Sequence, residues 1–175
     1  AVYRIRVTGL ACVVSMALAA PALAQSDESA PDLRSVEQVV RDVYDLVSWT
    51  DGNTPDWEVV RDVFIRDAIV VLRYPPDLKV MSVDGFLLDW LRFENQLAAA
   101  GVSGFQETVT SVETTEFGDV AHVSVVYESS IPGTERPARP GVDLWSLIRV
   151  DGQWKVVSVV NELPRDDLPV PSFGD

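Results

Sequence analysis

The stretch Gly141-Val-Asp-Leu-Trp-Ser-Leu-Ile-Arg-Val150, Asp151-Gly152, Gln153-Trp-Lys-Val-Val-Ser-Val-Val-Asn-Glu162 decides the fold. Two runs rich in β-branched and other apolar residues flank Asp151-Gly152, the pair that two-residue hairpin loops favour because both loop residues need positive φ. Such a loop sets a register: Val150 opposes Gln153, Trp154 opposes Arg149, Val156 opposes Leu147, Ser158 opposes Trp145 and Val160 opposes Asp143. The Trp154, Trp145 and Asp143 side is one face. The other carries Val142, Leu144, Ile148, Val157 and Val159, with Lys155 and Asn161 near its ends. Neither face is polar enough to be left to water. One is expected to pack on helices around a cavity, for which the Trp145, Trp154 and Asp143 face is chosen. The other is expected to meet a second copy of the chain, giving a homodimer through the sheet.

Working towards the N-terminus, Val120–Ser130 reads as a strand, joined through Gly118-Asp119 to another over Phe105–Phe117. Ser82 is the N-cap of a helix from Val83 to Ala100, stopped by Gly101. Ala68–Tyr74 reads as a strand ending at Pro75-Pro76. Asp56 caps a short helix over Trp57–Phe64, and from Leu33 the positions Val36, Val39, Val40, Val43 and Val47 recur at helical spacing. The order predicts one α+β domain over 35–163: three N-terminal helices packed on a strongly curved antiparallel sheet, in the form of a cone. Residues 164–175, with Pro169 and Pro171, form a tail too proline-rich for regular structure.

Arg4 and Arg6 precede an apolar run that ends in Ala22-Leu23-Ala24, the layout of a cleavable signal peptide over residues 1–24. Thr8, Gly9, Ser15 and Pro21 interrupt a run already short of the roughly 20 apolar residues that a membrane span needs. Gly9-Leu10-Ala11 before Cys12 is a poor lipidation signal. Residues 25–34 then form a disordered leader, and the mature domain is expected to be secreted or periplasmic, with no membrane attachment. The whole chain carries 14 Lys and Arg against 27 Asp and Glu, a net charge of −13. Losing the signal removes two of the basic residues and the only cysteine. A surface this acidic repels phosphates and anionic headgroups, which argues against nucleic acid and membrane partners. With no mature cysteine and with His122 as the only histidine, no metal site is expected. The absence of a glycine-rich phosphate loop gives no cofactor to expect either.

The segments Phe117-Gly118-Asp119-Val120-Ala121-His122-Val123, Tyr127-Glu128-Ser129, Gly141-Val142-Asp143 and Gly152-Gln153-Trp154-Lys155-Val156-Val157 resemble the nuclear-transport-factor-2-like (NTF2-like) superfamily, the SnoaL and ketosteroid-isomerase fold. They are most similar to a branch of exported bacterial proteins labelled lumazine-binding or SnoaL-like. Pro140 stands where that branch has Arg before the glycine, and Asn161 where it has an aromatic residue. The resemblance implies a cone with an internal cavity. It also sets Tyr44 at the first-helix phenol of ketosteroid isomerases, but Leu72-Arg73 where those enzymes carry their carboxylate base, which argues against steroid isomerisation.

Among single residues, Glu94 falls in the middle of the apolar arc of the third helix, with Phe86, Leu87, Trp90, Leu91 and Leu97 around it. A carboxylate there must be paired or face a cavity, so it is read either as a pocket acid or base, or as the partner of Arg73 or Arg66. His122 is either a general base or a strand histidine bonded to a neighbour. Two functions remain open, besides a dimeric domain with no pocket that acts by protein contacts. The first is a binder of a small hydrophobic or aromatic molecule, with Trp90, Asp143, Trp145 and Trp154 around the ligand and Trp49 and Tyr74 at the mouth. The second is a cofactor-independent isomerase, dehydratase or cyclase using Glu94 or His122 as base and Tyr44 as hydrogen-bond donor.

Overall fold

The computed structural model describes residues 34–50 and 53–173. The expected signal peptide and, apart from Arg34, the expected leader lie outside the described residues. Helix α1, Val36–Val47, starts two residues after Arg34 because the Ser35 hydroxyl accepts the Gln38 N–H at 3.1 Å. It buries Val36, Val39, Val40, Val43, Tyr44 and Val47, the stripe read from the sequence plus the tyrosine at its edge. Asp56 accepts from the backbone N–H groups of Glu58 and Val59 and opens α2, Trp57–Asp62. That helix stops short of the expected Phe64 because β1 starts there and runs to Tyr74.

Strand β2, Asp77–Ser82, was not expected. It turns back from β1 and pairs with it antiparallel, from Tyr74 with Asp77 to Ile69 with Ser82. An edge strand exposed along most of its length shows no apolar alternation, so pattern reading has nothing to find. Ser82 caps α3, Val83–Ala99, through the Gly85 N–H, as expected. Four strands follow: β3 (Gln106–Phe117), β4 (Val120–Ser130), β5 (Arg139–Val150) and β6 (Gln153–Glu162). The sheet order is β2-β1-β6-β5-β4-β3. Every neighbouring pair is antiparallel except β1 and β6, which run parallel, so the sheet is mixed at one seam.

The β5–β6 turn has φ of 49° at Asp151 and 79° at Gly152, as a type I′ loop requires. The expected register holds from Val150–Gln153 to Leu147–Val156 and then breaks. A β-bulge at Val157 shifts the pairing, so Ser146 meets Ser158, Trp145 meets Val159, Leu144 meets Val160 and Asp143 meets Asn161. The expected Ser158–Trp145 and Val160–Asp143 pairs are therefore wrong, and so is the outward placement of Val159 and Asn161. One extra residue reverses the facing of everything beyond it, because side chains alternate with period two. Val159 and Asn161 are buried at 5 % and 6 % exposure, while Val160 is 43 % exposed.

The inner face of the sheet and the helices share one core, built from α1, Val60 of α2, Val83 and Phe86 of α3, and Val123, Trp145, Trp154 and Val156 of the sheet. The outer face is different. The pairings place Val80, Val71, Val160 and Leu144 in one row across four strands. Val80, Leu144 and the nearby Ile69 are at least half exposed.

Candidate functional site

Inside the cone, α1 lays Tyr44 over the inner face of β5. Its hydroxyl donates to Asp143 Oδ2 at 2.6 Å, and the Trp145 indole N–H donates to the Tyr44 oxygen at 3.2 Å. The bulge brings Asn161 beside them. Its amide donates to Asp143 Oδ1 at 2.7 Å and to the Tyr127 hydroxyl at 3.1 Å. The Tyr127 ring packs against Tyr44 with centroids 5.4 Å apart. Two residues adjacent on one strand pair, a helix tyrosine and two aromatic neighbours thus form one connected polar floor. Asp143 and Asn161 are the two polar residues among those buried in the described chain.

Above this floor opens a cavity of about 460 Å³. Its walls are aromatic: Phe64 from β1, Phe86, Trp90 and Phe93 from α3, and Phe105 ahead of β3. Trp90 sits at the centre of that wall, edge-on to Phe86, Phe93 and Phe105 at centroid distances between 5.2 and 6.2 Å. The rim is charged, with Arg73, Lys79, Asp89 and Arg92 beside Tyr74. Lys79 reaches Asp89 at 2.5 Å and lies 4.5 Å from the centroid of the Tyr74 ring.

A second carboxylate, Glu107 on β3, also lines the cavity. Removal from water pushes its carboxyl up to about 8, with a further push from the Asp143 charge. Asp143 is pushed up to about 6, again by burial, although the hydrogen bonds from Tyr44 and Asn161 oppose the rise. Burial, then the neighbouring Asp143 charge, raises Tyr44 well above the ordinary phenol value and raises Tyr127 too. Glu107 therefore holds its proton to higher pH than Asp143, and both phenols stay neutral beside them.

Of the residues expected at the site, Tyr44, Tyr74, Trp90, Asp143 and Trp145 line the cavity. Glu94 does not. It lies one step round α3 from Phe93, on the side of α2, where it accepts the Trp57 indole N–H at 3.3 Å. That bond, not an ion pair with Arg73 or Arg66, is its partner. His122 alternates with the buried Ala121 and Val123, so it faces outward and lies 3.2 Å from the Ser146 hydroxyl. Trp49 packs behind the wall, with its backbone paired to Phe105 and its ring edge-on to Trp90. Trp154 stays in the core near the Asp151-Gly152 turn, with the Arg149 guanidinium 4.5 Å above its ring.

Glu107, Tyr127 and Asn161 were missed. Tyr127 continues the Ala121, Val123, Val125 alternation, and Glu107 follows Phe105 at the same spacing, so both carried a readable signal. Asn161 carried none, since a bulge decides its facing. Among the described residues there is no group of three or more His, Cys, Asp or Glu able to hold a metal ion.

Residues 37–161 match the family model described as "Putative lumazine-binding". The chain belongs to this family. No curated protein sequence matches this lumazine-binding-like chain. Solved structures match its fold. The "Putative Scytalone Dehydratase" of Novosphingobium aromaticivorans is 18% identical, with a TM-score of 0.56 over 74% of this chain and 82% of its own. Aln2 from a Streptomyces species is 17% identical, with a TM-score of 0.57 over 76% of this chain and 89% of its own. A protein of unknown function with a cystatin-like fold from Nostoc punctiforme is 10% identical, with a TM-score of 0.58 over 75% and 90%. The domain thus belongs to the lumazine-binding-like family, and its fold is shared with solved structures described as cystatin-like and NTF2-like.

Proposed function

We propose that the domain binds a small, flat, aromatic molecule in the cone. The observation that carries this reading is the cavity of about 460 Å³ with aromatic walls and a polar floor, a size and lining typical of small-molecule sites. Rings stack on or meet edges of Trp90, Phe93 and Phe105, while Tyr44, Asp143 and Asn161 offer hydrogen bonds that fix orientation. The family description, which names lumazine, a fused heteroaromatic with several donors and acceptors, agrees with that division of labour.

The test is calorimetric titration with lumazine and with the neutral apolar fluorophore N-phenyl-1-naphthylamine. At least one is expected to bind saturably, and Val159→Trp, which fills the cavity, should weaken that binding by about tenfold or more. No saturable binding by either compound would sink the reading.

The separated protonation of Asp143 and Glu107 favours acid–base chemistry as a second reading, with Asp143 as proton acceptor and Glu107 or Tyr44 as donor. This replaces Glu94 and His122, which do not reach the cavity. Chromatography and proton NMR of the ligand recovered from the titration separate the two readings, since a binder returns it unaltered and an isomerisation changes its structure without changing its mass.

The exposed row Val80, Val71, Val160 and Leu144 supports a homodimer through the outer face of the sheet. Sedimentation should give a dimer for the wild type and a monomer for Leu144→Glu. A wild type that sediments as a monomer counts against it. Export rests on the pattern of residues 1–24, and a mature N-terminus at Gln25 would support it.

A further inference from the structure

The chain is strongly acidic, yet three of its 14 basic residues, Arg73, Lys79 and Arg92, line this one cavity. They come from three different elements, β1, β2 and α3, so local sequence does not group them. The acidic partners nearby do not saturate them. Asp89 is shared between Lys79 at 2.5 Å and Arg92 at 3.3 Å. Arg73 touches Glu162 through one terminal nitrogen at 3.2 Å. Its Nε–H is buried and has no acceptor. The Trp90 indole N–H, in the aromatic wall, is likewise buried with no acceptor.

A buried N–H left without an acceptor costs about 1–3 kcal/mol, more when the group is charged, so each such donor asks for a partner. Both side chains line the cavity, one of them cationic, and neither donor is paired within the chain, so a guest that brings acceptors and negative charge suits this wall. The acids of the cavity do not meet that demand. The Asp143 oxygens are taken by Tyr44 and Asn161 at the floor, and Glu107 makes no hydrogen bond to either donor.

We infer that the guest is an organic anion: an aromatic body held among Trp90, Phe93 and Phe105, with a carboxylate or sulfonate directed to Arg73, Lys79 and Arg92 at the rim. This rests on the binding reading above and specifies its substrate class. Arginine suits the role, since its planar fork pairs with a carboxylate through two parallel hydrogen bonds. The charge collar also draws an anion to the one part of an otherwise repelling surface where it fits.

Two probes of almost the same body separate the ideas. 8-Anilinonaphthalene-1-sulfonate carries a sulfonate that N-phenyl-1-naphthylamine lacks. At low ionic strength the sulfonate should bind about tenfold more tightly or better, an advantage that salt erodes. Arg73→Gln and Arg92→Gln should each lower the ratio of the two affinities by about threefold or more. Arg92 has a side chain 63% exposed, so its variant keeps the fold even if loss of the Arg73–Glu162 contact weakens the other. Leu144→Glu, on the outer face, should leave the ratio unaltered. A ratio near one in the wild type, or a ratio unmoved by both arginine variants, overturns the inference while binding itself stands. A signal abolished by Leu144→Glu places the probe on the outer face and also overturns it. If neither probe binds, the inference falls, while the binding reading stands or falls on the lumazine titration.

Discussion

The domain is expected to unfold at a temperature roughly 10 °C higher near pH 5 than near pH 8, the reverse of proteins whose buried carboxylates are paired. Glu107 and Asp143 both have folded-state values above their ordinary ones, about 8 and about 6. Below the ordinary carboxyl range both states are protonated and neither group costs stability. As pH rises, the unfolded chain releases its protons first, so the folded state holds more protons and loses stability until pH passes the folded values. The window runs from about pH 4.5 to about 8 for Glu107 and closes earlier, near 6, for Asp143. Together the two groups are worth on the order of 3–5 kcal/mol across it. Glu162, held low chiefly by the Leu163 backbone N–H, acts in the opposite sense and below this window. Glu107→Gln removes the titrating proton while keeping the shape. Melting of the variant should be nearly flat above about pH 6 and higher than wild type at pH 8. A wild-type melting temperature that rises from pH 5 to pH 8 would contradict the raised values of both acids.

Gly141→Ala is expected to destabilise the domain by about 2–3 kcal/mol and to weaken ligand binding as well. Gly141 lies opposite Tyr127 on the neighbouring strand, and the Tyr127 ring leans across the bare Cα. An added Cβ would sit 2.6 Å from Tyr127 Cε1, well inside contact distance, and closer still to the end of the ring. The backbone of Gly141 is ordinary, so the demand here is for space and not for an unusual φ. Forced aside, Tyr127 would lose its bond to Asn161 and its packing on Tyr44, and would enter the cavity it now lines. Chemical denaturation of Gly141→Ala, Tyr127→Leu and the double variant tests the cause. If the ring is the obstacle, the double variant costs less than the two singles together. Strict additivity would mean that the glycine serves something other than the tyrosine.

Much of this architecture was legible because each part announces itself locally. Asp56 and Ser82 cap their helices through backbone N–H groups two or three residues ahead, and Asp151-Gly152 names its own turn. Asp143 and Trp145 were found because β5 has an unbroken period, and Tyr44 through the resemblance to the first-helix phenol. The misses share another cause. β2 is exposed along most of its length, so no pattern of burial is written in it. The facing of Asn161 depends on a bulge whose residue, Val157, looks like its neighbours. Glu94 looked like a pocket acid because a helical arc gives direction but not what stands opposite, and α2 with Trp57 fills that side.

The bulge at Val157 divides β6 into two territories. Ahead of it, Trp154 and Val156 serve the core next to the turn that starts the strand. Beyond it, Val159 belongs to the core and to the cavity wall at once, and Asn161 serves the cavity. Substitutions past the bulge can thus change what the cone recognises while the hairpin that organises the sheet keeps its own residues. In this strand, the freedom to acquire a new ligand rests with Asn161, while Val159 answers to both duties.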